Sequence, residues 1–223
     1  MKKMFLTLAF ALVSLVSYAQ NDVTKFLGIP VDGAKSAMIE KLCQKGFEKK
    51  YNSDGSVFLI GEFNGYDVII SVVTTNSKVS RIVVIDAHEI DEPSIKNRFN
   101  ILCSQFANNS NYVAFEDFTI PQTEDISYEM SVHDKRYEAA FYQQSASSES
   151  ELEEIFQKQL LENFTQEQLS KFTEKDIKDA LEIFLLDRLS KKCVWFYIAE
   201  SYGKYSITMY YDNEYNRAQG SDL

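Results

Sequence analysis

Two apolar segments flank the dipeptide Asn64-Gly65, and this arrangement constrains the fold more than any other feature of the sequence. Residues 56–63 and 66–73 are rich in β-branched and aromatic side chains, which favour strands. A two-residue type I′ turn needs two positive φ angles, and Asn-Gly adopts them readily. A third apolar segment, residues 79–87, follows after a short polar turn. We therefore predict a three-stranded antiparallel meander.

Two segments with helical spacing border this meander. Residues 32–46 are predicted to form a helix that Asp32 caps and Gly46 ends. Residues 93–106 are predicted to form a second helix, because apolar side chains recur there at helical intervals. Asp91 is well placed to cap this second helix.

The second half of the chain contains a similar mixture of elements. Its predicted strands are 112–120, 125–132, 136–143, 193–200 and 204–211. Its predicted helices are 149–162, 166–172 and 174–190, and they follow a serine-rich linker. His133 is expected in the turn of the first hairpin, and Tyr202-Gly203 in the turn of the last.

Hairpins outnumber strand-helix-strand crossovers in this order of elements. That favours an α+β fold with a largely antiparallel, meandering sheet and helices packed on one side. We predict an N-terminal α+β lobe at 20–120 and a C-terminal α+β lobe at 121–223, with one continuous domain, 20–223, as the alternative. Each lobe joins a helix to meandering strands, so the two lobes are candidate duplicates.

The first residues have the composition of a secretory signal peptide. Lys2 and Lys3 precede an apolar run at 4–16, and Ser17 and Ala19 supply a small-x-small cleavage pattern. The run is shorter than the roughly 20 residues that a membrane span needs. We predict cleavage near Ala19, export to the periplasm or the cell exterior, and no membrane insertion.

The acidic composition narrows the choice of partners. The chain has 33 Asp and Glu against 23 Lys and Arg, and its formal net charge is −10. Such a surface repels nucleic-acid phosphates and anionic lipids, so neither is a predicted partner. Cationic and neutral ligands suit it better.

The three cysteines do not have the spacing of a metal site. Cys43, Cys103 and Cys193 are scattered, whereas a zinc site needs close pairs such as C-x-x-C. Each has apolar neighbours, which favours small buried side chains. A disulfide between Cys43 and Cys103 is the alternative. No cofactor is predicted.

The common catalytic motifs are missing from the sequence. It contains no G-x-S-x-G, H-E-x-x-H, G-x-x-x-x-G-K-S/T or G-x-G-x-x-G. A non-catalytic protein is therefore favoured, and a hydrolase that uses two carboxylates stays open. Asp86, His88 and Glu89 form a candidate divalent-cation site where a strand precedes a helix, with a purely structural role as the alternative.

Aromatic and amide side chains are dense near the end of the chain. We take seven of them as candidate ligand-binding residues: Trp195, Tyr197, Tyr205, Tyr210, Tyr211, Asp212 and Asn213. Aromatic side chains on a hairpin serve as protein hot spots or sugar platforms. A protein partner is favoured over a glycan. The alternatives are cross-strand aromatic packing and a turn that ends the last strand.

Three stretches of the chain together resemble a family of exported proteins of unknown function from gut-type Gram-negative anaerobic bacteria. They are FLGIPVDG with MIEKLCQKGF, then LIGEFNGYDVIISV, and finally YGKYSITMYYDNEYNRAQGSDL. The resemblance covers most of the mature chain and implies export without implying an activity. In element order the chain is also similar to β-lactamase-inhibitor-like modules, which pack helices on a meandering antiparallel sheet. Fold alone does not define function.

Overall fold

Helices and antiparallel strands together make an α+β fold, as predicted. The computed structural model describes residues 22–144 and 147–217. The predicted leader peptide, residues 1–19, lies outside the described residues. No helix within the two described ranges is long and apolar enough to cross a membrane.

The chain divides into two compact units. Among the described residues, the larger unit comprises 24–144 and 191–217. The smaller unit comprises 22–23 and 147–190. In sequence, the main segment of the smaller unit therefore interrupts the larger one.

The larger unit is built around an eight-stranded antiparallel sheet. Its strands in chain order are β3 (Glu48–Tyr51), β4 (Val57–Phe63), β5 (Tyr66–Thr75), β6 (Lys78–Asp86), β7 (Tyr112–Val113), β8 (Glu138–Gln143), β9 (Lys192–Ser201) and β10 (Lys204–Asn213). Their order across the sheet is β3-β4-β5-β6-β10-β9-β8-β7. Two short strands, β1 (Lys25–Phe26) and β2 (Ile29–Pro30), form a separate small sheet. Strands from both predicted lobes thus share one sheet.

The described residues of the larger unit also include three α-helices and a short 3-10 helix. They are α1 (Lys35–Gln44), α2 (Glu92–Ala107), α3 (Ile126–His133) and the 3-10 helix Glu214–Asn216. Asp91 caps α2 as predicted, since its carboxylate accepts a hydrogen bond of 3.0 Å from the Ser94 N–H. Asp32 does not cap α1, because Ala34 occupies that position and Asp32 accepts from the Gly33 N–H instead.

The same succession of elements occurs twice in the larger unit. A helix, α1 or α2, is followed each time by four antiparallel strands that meander, first β3–β6 and then β7–β10. The last strands of the two sets, β6 and β10, pair in the middle of the sheet. The topology is therefore that of a duplicated element. The second set has longer connections, which contain α3 and the 147–190 segment.

One face of the sheet packs against α1 and α2. Side chains of both helices and of six strands of the eight-stranded sheet belong to a single buried cluster, which includes Met38, Leu42, Leu59, Ile70, Val84, Phe99, Phe141, Phe196 and Met209. Complete burial of one such side chain stabilises a fold by about 1.5–3 kcal/mol. This cluster is therefore the core that holds the two helix-and-meander sets together.

Residues 126–133 form α3, and the hairpin strand predicted there is wrong. Apolar side chains occupy every second position, which is the strand pattern. Asp125 nevertheless caps a helix, since its carboxylate accepts from the Tyr128 N–H at 2.8 Å. His133 ends that helix before Asp134, whose φ of +51° stops it. Local capping here overrides the period of the apolar residues.

The predicted turns of the other hairpins are confirmed. Asn64 and Gly65 have φ values of +56° and +80°, as a type I′ turn requires. Tyr202 and Gly203, with φ of +51° and +74°, connect β9 to β10 in the same way. The strand predicted at 112–120 is shorter than expected, because only β7 pairs.

The smaller unit is helical. Its helices are α4 (Glu149–Asn163), α5 (Gln166–Leu169) and α6 (Glu174–Ser190). Thr165 and Gln168 form a capping box at the start of α5. Thr173 and Asp176 exchange the equivalent hydrogen bonds at the start of α6, at 3.2 and 2.8 Å. Sequence signals for helix starts are thus reliable in this unit.

Few side chains of the smaller unit are buried. The rings of Phe156 and Phe184 lie 5.3 Å apart and are its buried helical side chains. The large exposed apolar side chains of this unit are Ile155, Leu161, Phe164, Ile177, Leu181, Ile183, Leu185 and Leu186. Little buried apolar area means that local opening of these helices costs little free energy.

The three cysteines are free. Cys103 is buried and Cys193 is partly buried, as their apolar neighbours predicted. Cys43 is exposed, contrary to that prediction, because it lies on the solvent side of α1. The alternative of a Cys43–Cys103 disulfide is not found.

Candidate functional site

The sheet carries apolar side chains on the face opposite α1 and α2. We call it the outer face; its apolar members are Phe58, Ile60, Ile69, Val73, Val83, Ile85, Ala140, Tyr142, Cys193, Trp195, Tyr197, Ala199 and Tyr210. All of them are partly exposed. A solvated face of an antiparallel sheet usually carries polar side chains at such positions. Ser71 and Thr208 lie among these apolar side chains, and an apolar surface of this kind on a sheet is typical of an interaction site.

Three aromatic rings stand nearly parallel on the outer face. The centroids of Trp195 and Tyr210 are 4.3 Å apart, with 18° between the ring planes. Tyr197 lies 5.9 Å from Trp195 and 6.2 Å from Tyr210. Burial and a hydrogen bond with the Tyr197 side chain raise the pKa of Tyr210. The Tyr210 hydroxyl group therefore stays neutral and able to hydrogen-bond at physiological pH.

A buried carboxylate holds this aromatic stack in place. Asp212 is 3% exposed and accepts a hydrogen bond of 2.9 Å from the indole Nε1 of Trp195. It also accepts from Nε and Nη2 of Arg81, the latter at 2.7 Å. The Arg81 guanidinium lies over the ring of Tyr210, 4.6 Å from its centroid. Because each group fixes the next, the orientation of the indole is set before any partner binds.

The seven candidate ligand-binding residues are divided between the two faces of the sheet. Trp195, Tyr197, Tyr210 and Asp212 belong to the outer face, and the structure brings them together. Tyr205, Tyr211 and Asn213 point to the helix side and are 1–5% exposed. Neighbouring residues of a strand alternate between faces, so Tyr210 and Tyr211 cannot share a surface.

Polar groups of residues 212–216 form hydrogen bonds with the N-terminal segment of the larger unit, residues 24–32. The side-chain amide of Asn213 donates to the Val31 carbonyl at 2.8 Å, and the Thr24 hydroxyl donates to the Asp212 carbonyl. The Asn216 amide reaches the Asp32 carboxylate, also at 2.8 Å. Strand β10 continues through Asn213, which then caps the 3-10 helix. The side-chain amides of Asn213 and Asn216 therefore form hydrogen bonds within the fold itself.

The three candidate cation ligands do not converge. Asp86 is buried and accepts hydrogen bonds from the guanidinium of Arg98 through both oxygens, with an Nε contact of 2.8 Å. His88 is exposed and lies 3.6 Å from Asp67, and Glu89 is exposed as well. In the described part of the chain, no group of three or more His, Cys, Asp or Glu side chains could hold a metal ion.

Sequence reasoning missed Arg81, Tyr142 and Phe115. Arg81 occupies an outward position of β6, between the buried Ser80 and Ile82, and a charged side chain next to the apolar run 82–85 is the signal that the sequence offers. Tyr142 is two residues after Ala140 in β8, so both side chains point to the outer face. Phe115 lies in a loop, where no periodicity marks it. Only the first two had a readable signal.

Comparison with protein-family models, curated proteins and solved structures finds no match for this chain. The resemblance to exported proteins of unknown function therefore stays a prediction.

Proposed function

We propose that this protein is an exported binding module that recognises a protein partner through the outer face of its sheet. The observation that carries the proposal is the apolar surface centred on the Trp195–Tyr210 stack. Trp, Tyr and Arg are the residue types most enriched in the energetic centres of protein interfaces. Trp195, Tyr210 and Arg81 lie within one hydrogen-bonded and stacked group, so their side chains lose little entropy on binding.

The geometry favours a protein over a glycan. The outer face continues beyond the aromatic stack as an aliphatic surface that includes Val83 and Ile85. Aliphatic side chains match an apolar protein surface better than the hydroxyl groups of a sugar.

Export supports the proposal from the sequence side. The leader at residues 1–19 has the composition of a signal peptide, and the net charge of −10 keeps an exported domain soluble. The catalytic motifs that were sought in the sequence are missing from it.

Site-specific photo-crosslinking in cells that make the protein tests this proposal. Benzoylphenylalanine replaces Val73 on the outer face, which is 41% exposed, or Ile101 on α2, which is 44% exposed. Equal exposure makes the second position a matched control. We expect a discrete adduct with one protein from position 73 and none from position 101. Identical adducts at both positions, or none at position 73, would contradict the proposed function.

A further inference from the structure

A groove of about 430 Å³ borders the outer face beside Trp195. Its lining includes Phe115, Glu116, Glu138, Ala140, Tyr142 and Trp195. Phe118 and Ala139 complete the lining, so the groove combines four aromatic rings, two carboxylates and two small side chains. Every one of these residues belongs to the larger unit.

The register of three strands shapes this groove. Ala140 of β8 lies opposite Trp195 of β9, which lies opposite Tyr210 of β10. Tyr210 covers one face of the indole, while the methyl group of Ala140 is too small to cover the other. One indole face is therefore left for a ligand on the groove side.

The far wall of the groove is also aromatic. The rings of Phe115 and Tyr142 lie 5.1 Å apart at an interplanar angle of 47°. Phe115 is 63% exposed, so its ring is open to contact from a ligand in the groove.

Negative charge accompanies the aromatic walls. Glu116 and Glu138 are exposed, and no basic side chain in the described ranges forms an ion pair with either. Burial first, and then the negative charges of neighbours that include Glu116, raise the pKa of Tyr142. Two carboxylates without an ion-pair partner in the described ranges therefore line the groove.

We propose that this groove binds the side chain of a lysine or arginine carried by the protein partner. The inference rests on the proposed function and adds the chemistry of the contact. A cation over an aromatic face is attracted by the ring quadrupole, and its alkyl stem packs along Ala140 and Phe115. The carboxylates of Glu116 and Glu138 then accept hydrogen bonds from the charged head.

Nuclear magnetic resonance with model peptides tests the inference. The probe is an acetylated, amidated heptapeptide with one arginine among glycines and serines, and its matched control has citrulline instead. Trp195 is the only tryptophan of the chain, so a single indole N–H resonance reports on the groove. We expect the arginine peptide to shift this resonance in a saturable manner, and the citrulline peptide to bind at least about threefold more weakly.

Two variants test whether the carboxylates of the groove contribute to the affinity for the arginine peptide. The double variant Glu116→Gln with Glu138→Gln keeps both shapes, and we expect it to bind the arginine peptide about three- to tenfold more weakly. Glu89→Gln, an exposed glutamate outside the groove lining, should leave the affinity unchanged. Equal shifts from both peptides, no shift from the arginine peptide, or full affinity in the double variant would each overturn the inference.

The two proposals fail in different experiments. An adduct at position 73 together with no arginine-specific shift would leave the proposed function standing and remove this inference. A missing adduct at position 73 would remove the proposed function, whatever the peptides do.

Discussion

Trp195 and Tyr210 lie directly opposite each other on β9 and β10, and their rings stack with centroids 4.3 Å apart. The pair sits on the apolar outer face and shares one buried anchor, since Asp212 holds the indole N–H and Arg81 covers the tyrosine. The central pair of the proposed interface is therefore rigid in the free protein. Preorganised aromatic groups of this kind lower the entropic cost of binding.

The first prediction concerns this anchor. In Asp212→Asn the charge that pairs with Arg81 is lost, although the shape of the side chain is kept. We expect the free energy of unfolding to fall by about 3 kcal/mol, the lower end for breaking a buried ion pair, because Arg81 stays partly exposed. Urea unfolding followed by the fluorescence of Trp195 measures this change.

The control for that measurement is Tyr202→Ala. Tyr202 lies in the β9–β10 turn and is fully exposed, so its removal should change the unfolding free energy by less than about 0.5 kcal/mol. An Asp212→Asn protein as stable as this control would show that the network does not anchor the stack.

The sequence was sufficient for the elements that depend on local signals. The Asn64-Gly65 hairpin, the Asp91 cap and the capping box at Thr165 were all readable, because each uses residues a few positions apart. To assign each aromatic candidate to one face of the sheet, the alternation of side chains along a strand has to be applied residue by residue. That rule alone separates Tyr210 from Tyr211.

Partners that are distant in sequence were not predictable. The ion pair between Asp86 and Arg98 depends on α2 packing across β6, and no local pattern specifies that contact. For that reason the sequence analysis assigned Asp86, together with His88, as a candidate cation ligand. The helix at 126–133 was missed for the opposite reason, since its apolar period imitates a strand.

The second prediction concerns Asp86. Asp86→Asn leaves the Arg98 guanidinium buried without a counter-charge, and both side chains are at most 5% exposed. We expect a loss of about 3–5 kcal/mol in the free energy of unfolding, as for other buried ion pairs that lose one partner. His88→Gln, at an exposed site two residues away, should cost less than about 0.5 kcal/mol. Similar losses in both variants would contradict the assigned role of Asp86.

The third prediction concerns the contact between Gly61 and Phe47. A Cβ atom at position 61 would lie 2.7 Å from Cδ1 of the buried Phe47 ring. Gly61→Ala should therefore lower the free energy of unfolding by about 1–3 kcal/mol, because the ring must move.

A double-mutant cycle isolates this contact. In a Phe47→Leu background the ring is gone, so Gly61→Ala should cost at least about 1 kcal/mol less than in the wild type. Additive costs would mean that the destabilisation comes from the strand backbone and not from the ring.

The fourth prediction concerns the reactivity of the three thiols. Burial raises the pKa of Cys103 and of Cys193 to about 12, whereas Cys43 is exposed. The thiolate is the reactive form, so at pH 8 only about one in ten thousand of each buried thiol can react. We expect an aromatic disulfide reagent to modify one thiol per native chain and all three in denaturant. Cys43→Ser should abolish the native reaction, and two or three fast thiols in the native wild type would show that the sheet and α2 do not protect Cys193 and Cys103.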